Sequence, residues 1–127
     1  MRLAIDTNAY TALFRNDSRV LAAIQAATEI ILPLIVLGEL RAGFEAGTLT
    51  ARNEASLQRF LSKPSARIVA PDEQTTFQYA RLALQLRRQG TPLPQNDLWI
   101  AALVIQHDCV LMTYDRHFDH LPQIPRW

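Results

Sequence analysis

The stretch Leu3-Ala4-Ile5-Asp6-Thr7-Asn8 decides how the rest of the chain is read. Three consecutive apolar residues suit a short strand buried on both faces. Asp6-Thr7-Asn8 then offers side chains that cap a helix, and Ala9 to Arg15 carries a short helical pattern. A buried strand running straight into a helix is the opening of a βαβ unit.

The same punctuation recurs downstream. Asp17 or Ser18 caps a second helix reaching about Ala27. Ile30-Ile31-Leu32 is a second apolar strand, and Pro33 suits the first turn of a helix extending to about Gly43. Thr50 to Leu61 is helical, with Leu57, Phe60 and Leu61 on one side. Ala66 to Ala70 is a third strand, stopped by Pro71. Asp72 caps a long helix, with Phe77, Ala80 and Leu84 at helical spacing, that ends at Gly90. Thr91 to Asn96 reads as a proline-containing loop. Asp97 to about His107 is a helix apolar nearly all round, and therefore buried. Val110-Leu111-Met112-Thr113 is a fourth strand, and a short fifth is placed near Ile124. The pattern predicts an α/β chain: a three-layer α/β/α domain over residues 1–127, with a parallel sheet of four to five strands.

Composition agrees and excludes other classes. The chain has 127 residues, of which 49% are hydrophobic and 20% charged, ordinary values for a globular domain. One cysteine excludes a disulfide framework and a cysteine-rich zinc site. There is no apolar run long enough to span a membrane and no signal peptide, so the expected location is the cytoplasm. The net charge is only +1, yet all the basic residues except Lys63 are arginine, which suits bidentate phosphate contacts. If four of the 12 acids hold a metal, the remaining surface is basic enough for a polyanion.

In parallel α/β folds the functional groups gather at the carboxyl ends of the strands. Four acids stand at such places: Asp6 after the first strand, Glu39 on the helix after the second, Asp97 opening the buried helix, and Asp115 just past the fourth strand. Singly, each has a plainer explanation. Asp6 caps a helix, Asn96 or Asp97 caps another, and Asp115 sits in a turn. Glu39 is harder to dismiss, because a carboxylate among Leu34 to Leu40 needs a partner or solvent. Crowded together, the acids would raise one another's pKa, and a divalent cation removes that conflict. Oxygen ligands favour Mg²⁺ or Mn²⁺.

Four pieces of sequence, in order, resemble the PIN domain, and specifically the VapC toxins of VapBC toxin–antitoxin pairs. They are Leu3-Ala4-Ile5-Asp6-Thr7-Asn8, Leu37-Gly38-Glu39-Leu40-Arg41-Ala42-Gly43, Asn96-Asp97-Leu98-Trp99-Ile100-Ala101-Ala102, and Leu111-Met112-Thr113-Tyr114-Asp115-Arg116-His117-Phe118. The resemblance implies a metal-dependent endoribonuclease on a five-stranded parallel sheet, usually dimeric, with a VapB-like antitoxin as partner. It carries the family's acidic positions onto Asp6, Glu39, Asp97 and Asp115, with Asp119 a competing fourth acid. The small polar position beside the first acid falls on Thr7 or Asn8, and the strand-end threonine on Thr113.

Hydrolysis of a phosphodiester needs an activated water and neutralised phosphoryl oxygens, both of which Mg²⁺ or Mn²⁺ supplies. Asp6 and Asp97 are expected as central ligands, with Glu39 and Asp115 ligating directly or through water, and Thr113 positioning a phosphate or Asp115. Arg41, Arg87, Arg88 and Arg116 are candidates for the RNA backbone. His107, His117 and His120 lack a zinc arrangement, Cys109 reads as a core thiol, and Trp99 as core or dimer packing. Tyr10, Leu13, Phe14 and Phe44 are candidates for a groove that takes an antitoxin segment. Two rivals remain. An aspartate-based phosphatase or phosphoacceptor would use Asp6 as nucleophile, but has Asn8 where a second Asp is wanted and only Lys63 as lysine. A non-catalytic PIN-like binding module would have no need of the four acids.

Overall fold

A computed structural model describes all residues, 1–127. Strands β1 (Arg2–Ile5), β2 (Glu29–Pro33), β3 (Ala66–Val69) and β4 (Cys109–Met112) form one parallel sheet in the order β3-β2-β1-β4. Helices α1 (Thr7–Leu13) and α2 (Ser18–Ala26) connect β1 to β2. Helices α3 (Leu34–Ala46) and α4 (Thr50–Leu61) lead to β3, and α5 (Glu73–Gln89) and α6 (Gln95–Gln106) lead to β4. A 3₁₀ turn, η1 (Arg116–His120), follows. The fifth strand shrinks to a single parallel bridge, Leu111 to Arg126, because Pro125 can accept from Leu111 but has no N–H to donate.

The expected elements are present, with shifts that have local causes. Pro33 ends β2 and stands just before α3, which runs three residues past Gly43. Helix α6 begins at Gln95, directly after Pro94, so Gln95 and Asn96 are helical and Asp97 is the third helical residue, not the first. Asp72 caps α5 through a reciprocal pair with Thr75, and Gly90 stops it in the left-handed region at φ 69°. The apolar spacing of α5 is the larger correction. Phe77, Ala80 and Leu84 face outward, with Phe77 57% exposed, whereas Thr75, Leu82 and Leu86 are buried and Tyr79 stacks on Trp99 at 4.1 Å between ring centroids.

One hydrophobic cluster fills the space between sheet and helices, and α6 contributes Leu98 and Ile100–Val104 to it. Cys109 belongs to this core, and burial pushes its thiol up to about 11. The chain order decides where a site can form. It moves outward from β1 to β2 and β3, then jumps back across to β4 on the other side of β1. The carboxyl ends of β1 and β4 therefore flank the point where the winding reverses, the usual crevice of an open parallel sheet.

Candidate active site

Register places the first two residues. Ile5 pairs with Met112, so Asp6 and Thr113 leave neighbouring strands side by side. Asp6 is the N-cap of α1: one carboxylate oxygen accepts the Ala9 N–H at 2.9 Å, and the other accepts the Thr113 hydroxyl. The same hydroxyl oxygen accepts the Asp115 N–H at 2.9 Å, which ties the turn after β4 to Asp6. Asp6 is 5% exposed, and burial is the largest cause holding its carboxyl above the ordinary range. The Thr113 and Ala9 hydrogen bonds offset part of this, and the charges of Asp115 and Glu39 add to it.

The other acids arrive from separate elements. Glu39 is half-buried on α3, and the Thr7 hydroxyl of α1 donates to its Oε1 at 2.8 Å. The partner that Glu39 needs is thus Thr7, whereas Asn8 is exposed beside Thr11 and Asp17. Asp97, on the first turn of α6, has 15% of its side chain exposed. Its pKa is raised from 3.8 to about 6 by burial first, then by Asp115, while His117 opposes the rise. Asp115 caps η1 by accepting the His117 N–H at 2.9 Å. Asp119 turns away to pair with Arg126, which holds its carboxyl below the ordinary range, so Asp115 and not Asp119 faces Asp97.

The histidines show no zinc arrangement along the sequence, but the fold brings one of them to the acids. The His117 ring nitrogen Nδ1 lies 2.9 Å from Asp115 Oδ1 and 3.5 Å from Asp97 Oδ2. The signal was the spacing of Asp115 and His117 across one turn, visible only once Asp97 is known to stand opposite.

Residues 3–124 match the PIN domain family. The chain belongs to that family. Ribonuclease VapC2 of Rickettsia felis is 30% identical over 96 residues, 75% of this chain and 70% of the relative. Ribonuclease VapC4 of Mycobacterium tuberculosis is 32% identical over 95 residues, 72% of this chain and 70% of the relative. The crystal structure of VapBC2 from Rickettsia felis bound to a promoter DNA fragment superposes with a TM-score of 0.87 at 25% identity, covering 100% of this chain and 98% of that one.

Around the acids, this PIN domain distributes its arginines unevenly. Arg116 lines a cleft of about 530 Å³ with Thr113, Asp115, Arg19 and Arg126, so of the four acids it shares this cleft with Asp115. Arg41 bridges α3 to Glu54 of α4 at 2.8 Å, while Arg87 and Arg88 sit on the last turn of α5. A second groove of the PIN domain, about 390 Å³, lies between α1, α3 and α4 and is lined by Tyr10, Phe14, Leu40, Phe44 and Leu49. Leu13 opens instead onto a neighbouring depression with Phe60 and Lys63. The groove and the acids share two helices: α1 carries Thr7 and Tyr10, and α3 carries Glu39 and Leu40. No helix of the PIN domain is long and apolar enough to cross a membrane.

Proposed function

We propose that this chain is a single PIN domain acting as the toxin of a type II toxin–antitoxin pair, a Mg²⁺- or Mn²⁺-dependent endoribonuclease of the cytoplasm. The observation that supports the reading best is that Glu39 and Asp115 stand close enough for their charges to act on both Asp6 and Asp97. Burial first, and then the charges of Asp115 and Glu39, hold the carboxyls of Asp6 and Asp97 above the ordinary range, a cost that a cation would relieve. An all-oxygen set of this kind suits Mg²⁺ or Mn²⁺. When bound, the ion supplies an activated water and neutralises charge on the phosphoryl oxygens.

The protein's own residues do the positioning. Asp6 and Asp97 are the central ligands in this reading, and Glu39 and Asp115 ligate directly or hold the attacking water. Thr113 orients Asp6 and the Asp115 turn, and Thr7 orients Glu39. Arg116 is best placed to meet the RNA backbone, with Arg87 and Arg88 further out and Arg41 already engaged by Glu54. Backbone contacts fix register without reading sequence. A phosphoacceptor would want a lysine at the strand ends, but Lys63 lies over the Phe60 ring, 5.7 Å from its centroid.

A VapB-like antitoxin is the partner proposed for the apolar groove, since an amphipathic segment laid there would reach the acids along α1 and α3. Phe77 and Leu84, exposed on α5, are the surface proposed for homodimer packing. The deciding experiment is cleavage of a structured RNA by wild type and Asp6→Asn, with EDTA and with Mn²⁺. The expected result is cleavage that EDTA stops, Mn²⁺ restores and the variant lacks. Cleavage indifferent to EDTA would exclude the metal mechanism, and none under any condition would favour a binding module.

A further inference from the structure

The ring of His117 is turned toward the two acids from the short turn after β4. That turn is held at both ends. The Asp115 N–H donates to Thr113 at 2.9 Å, and Asp115 in turn accepts the His117 N–H at 2.9 Å. Asp97 comes from α6, so the pairing of the imidazole with both carboxylates joins two separate elements. One ligand atom from each of Asp97, Asp115 and His117 can be chosen so that all lie within 4.8 Å of one another.

Those separations have a chemical meaning. A six-coordinate ion with bonds of about 2.1 Å spaces adjacent ligand atoms by about 3.0 Å and opposite ones by about 4.2 Å. The Nδ1 distances of 2.9 and 3.5 Å are those of adjacent donors. With the proton on Nε2, Nδ1 turns a lone pair toward the carboxylates.

Building on the metal site proposed above, we infer that His117 is a nitrogen ligand of that site, so that the protein favours Mn²⁺ over Mg²⁺. Magnesium takes oxygen donors and gains little from an imidazole, whereas transition ions gain more. A histidine that only forms an ion pair with the acids would act on both metals alike.

The test is pulsed electron paramagnetic resonance of the full-length protein loaded with Mn²⁺, together with Mn²⁺ and Mg²⁺ affinities by calorimetry, on wild type and His117→Gln. The side chain of His117 is 51% exposed, so the variant is expected to melt as wild type does. The expected result is a ¹⁴N coupling to Mn²⁺ in wild type that the variant lacks. Mn²⁺ affinity should fall about tenfold or more, and Mg²⁺ affinity by less than about threefold. Mn²⁺ bound without ¹⁴N coupling overturns the role of His117 and leaves the carboxylate site standing. An equal loss for both ions also overturns it. No Mn²⁺ binding by wild type overturns both this inference and the metal site beneath it.

Discussion

Asp97 carries the clearest electrostatic signature at the scale of single residues. Its pKa of about 6, against an ordinary 3.8, means that the folded protein resists ionising it. Asparagine removes the charge and keeps the shape, so Asp97→Asn should melt higher than wild type at neutral pH in EDTA, while losing RNA cleavage. Asp6→Asn should behave likewise, because asparagine also caps helices and can still accept from Ala9. A large drop in melting temperature for both variants would mean that these acids serve the fold. Glu39 makes a finer test, since Thr7 already satisfies one of its oxygens. Glu39→Gln keeps that contact, so cleavage should fall at least tenfold with RNA binding near normal. Unchanged turnover at saturating Mg²⁺ would confine the site to the aspartates.

Helix α5 shows, among the elements, how a periodic pattern can mislead. Two apolar stripes share it, one through Phe77, Ala80 and Leu84 and another through Tyr79, Leu82 and Leu86. Both have helical spacing, and only packing against α6 decides which turns inward. The loser is left exposed, and Phe77→Glu should therefore leave the melting temperature of the monomer nearly unchanged while splitting a homodimer, as read by light scattering. Unfolding instead would return Phe77 to the core. Helices α1 and α3 carry the groove proposed for the antitoxin. Phe14 is 53% exposed at its rim and Tyr10 is buried at its base, where its ring packs edge-on to Phe60. Phe44→Glu should abolish binding of a VapB-like partner without unfolding the domain, and retained binding would place the partner elsewhere.

Across the whole molecule, the acids make stability depend on pH. Asp6 and Asp97 have folded pKa values above their unfolded ones, so the stability they lend is complete below about pH 4 and fades as pH rises, for Asp97 through about 6. Asp17, Asp72 and Asp119 have lowered values and act in reverse, losing stability as pH falls below about 4. Burial lowers the His107 pKa, so His107 acts against Asp6 and Asp97 below about pH 6.5. With the two acids outweighing it, the metal-free protein should be most stable near about pH 4–5 and weaken toward neutrality, whereas saturating Mn²⁺ should reverse the neutral-side slope. Melting curves from about pH 4 to 8, with EDTA or Mn²⁺, measure this directly. A flat profile in EDTA would show that the crowding of the acids carries no energetic cost.

Much of this was legible in the residues alone. The alternation of short apolar runs with capped helices determined a parallel α/β sheet, because strands buried on both faces and helices packed over them leave that pattern and few others. The same runs located Asp6 at a strand end and set Glu39, Asp97 and Asp115 beside apolar sequence. The contacts between these elements were decided only in three dimensions. That Thr7 and not Asn8 meets Glu39, that Thr113 binds Asp6, and that Asp115 is turned to Asp97 while Asp119 is drawn to Arg126 all follow from strand register and helix packing. His117 is the plainest case. Its meaning depends on Asp97, a residue on another helix, and a linear sequence records spacing along the chain but not the distance between turns that folding brings together.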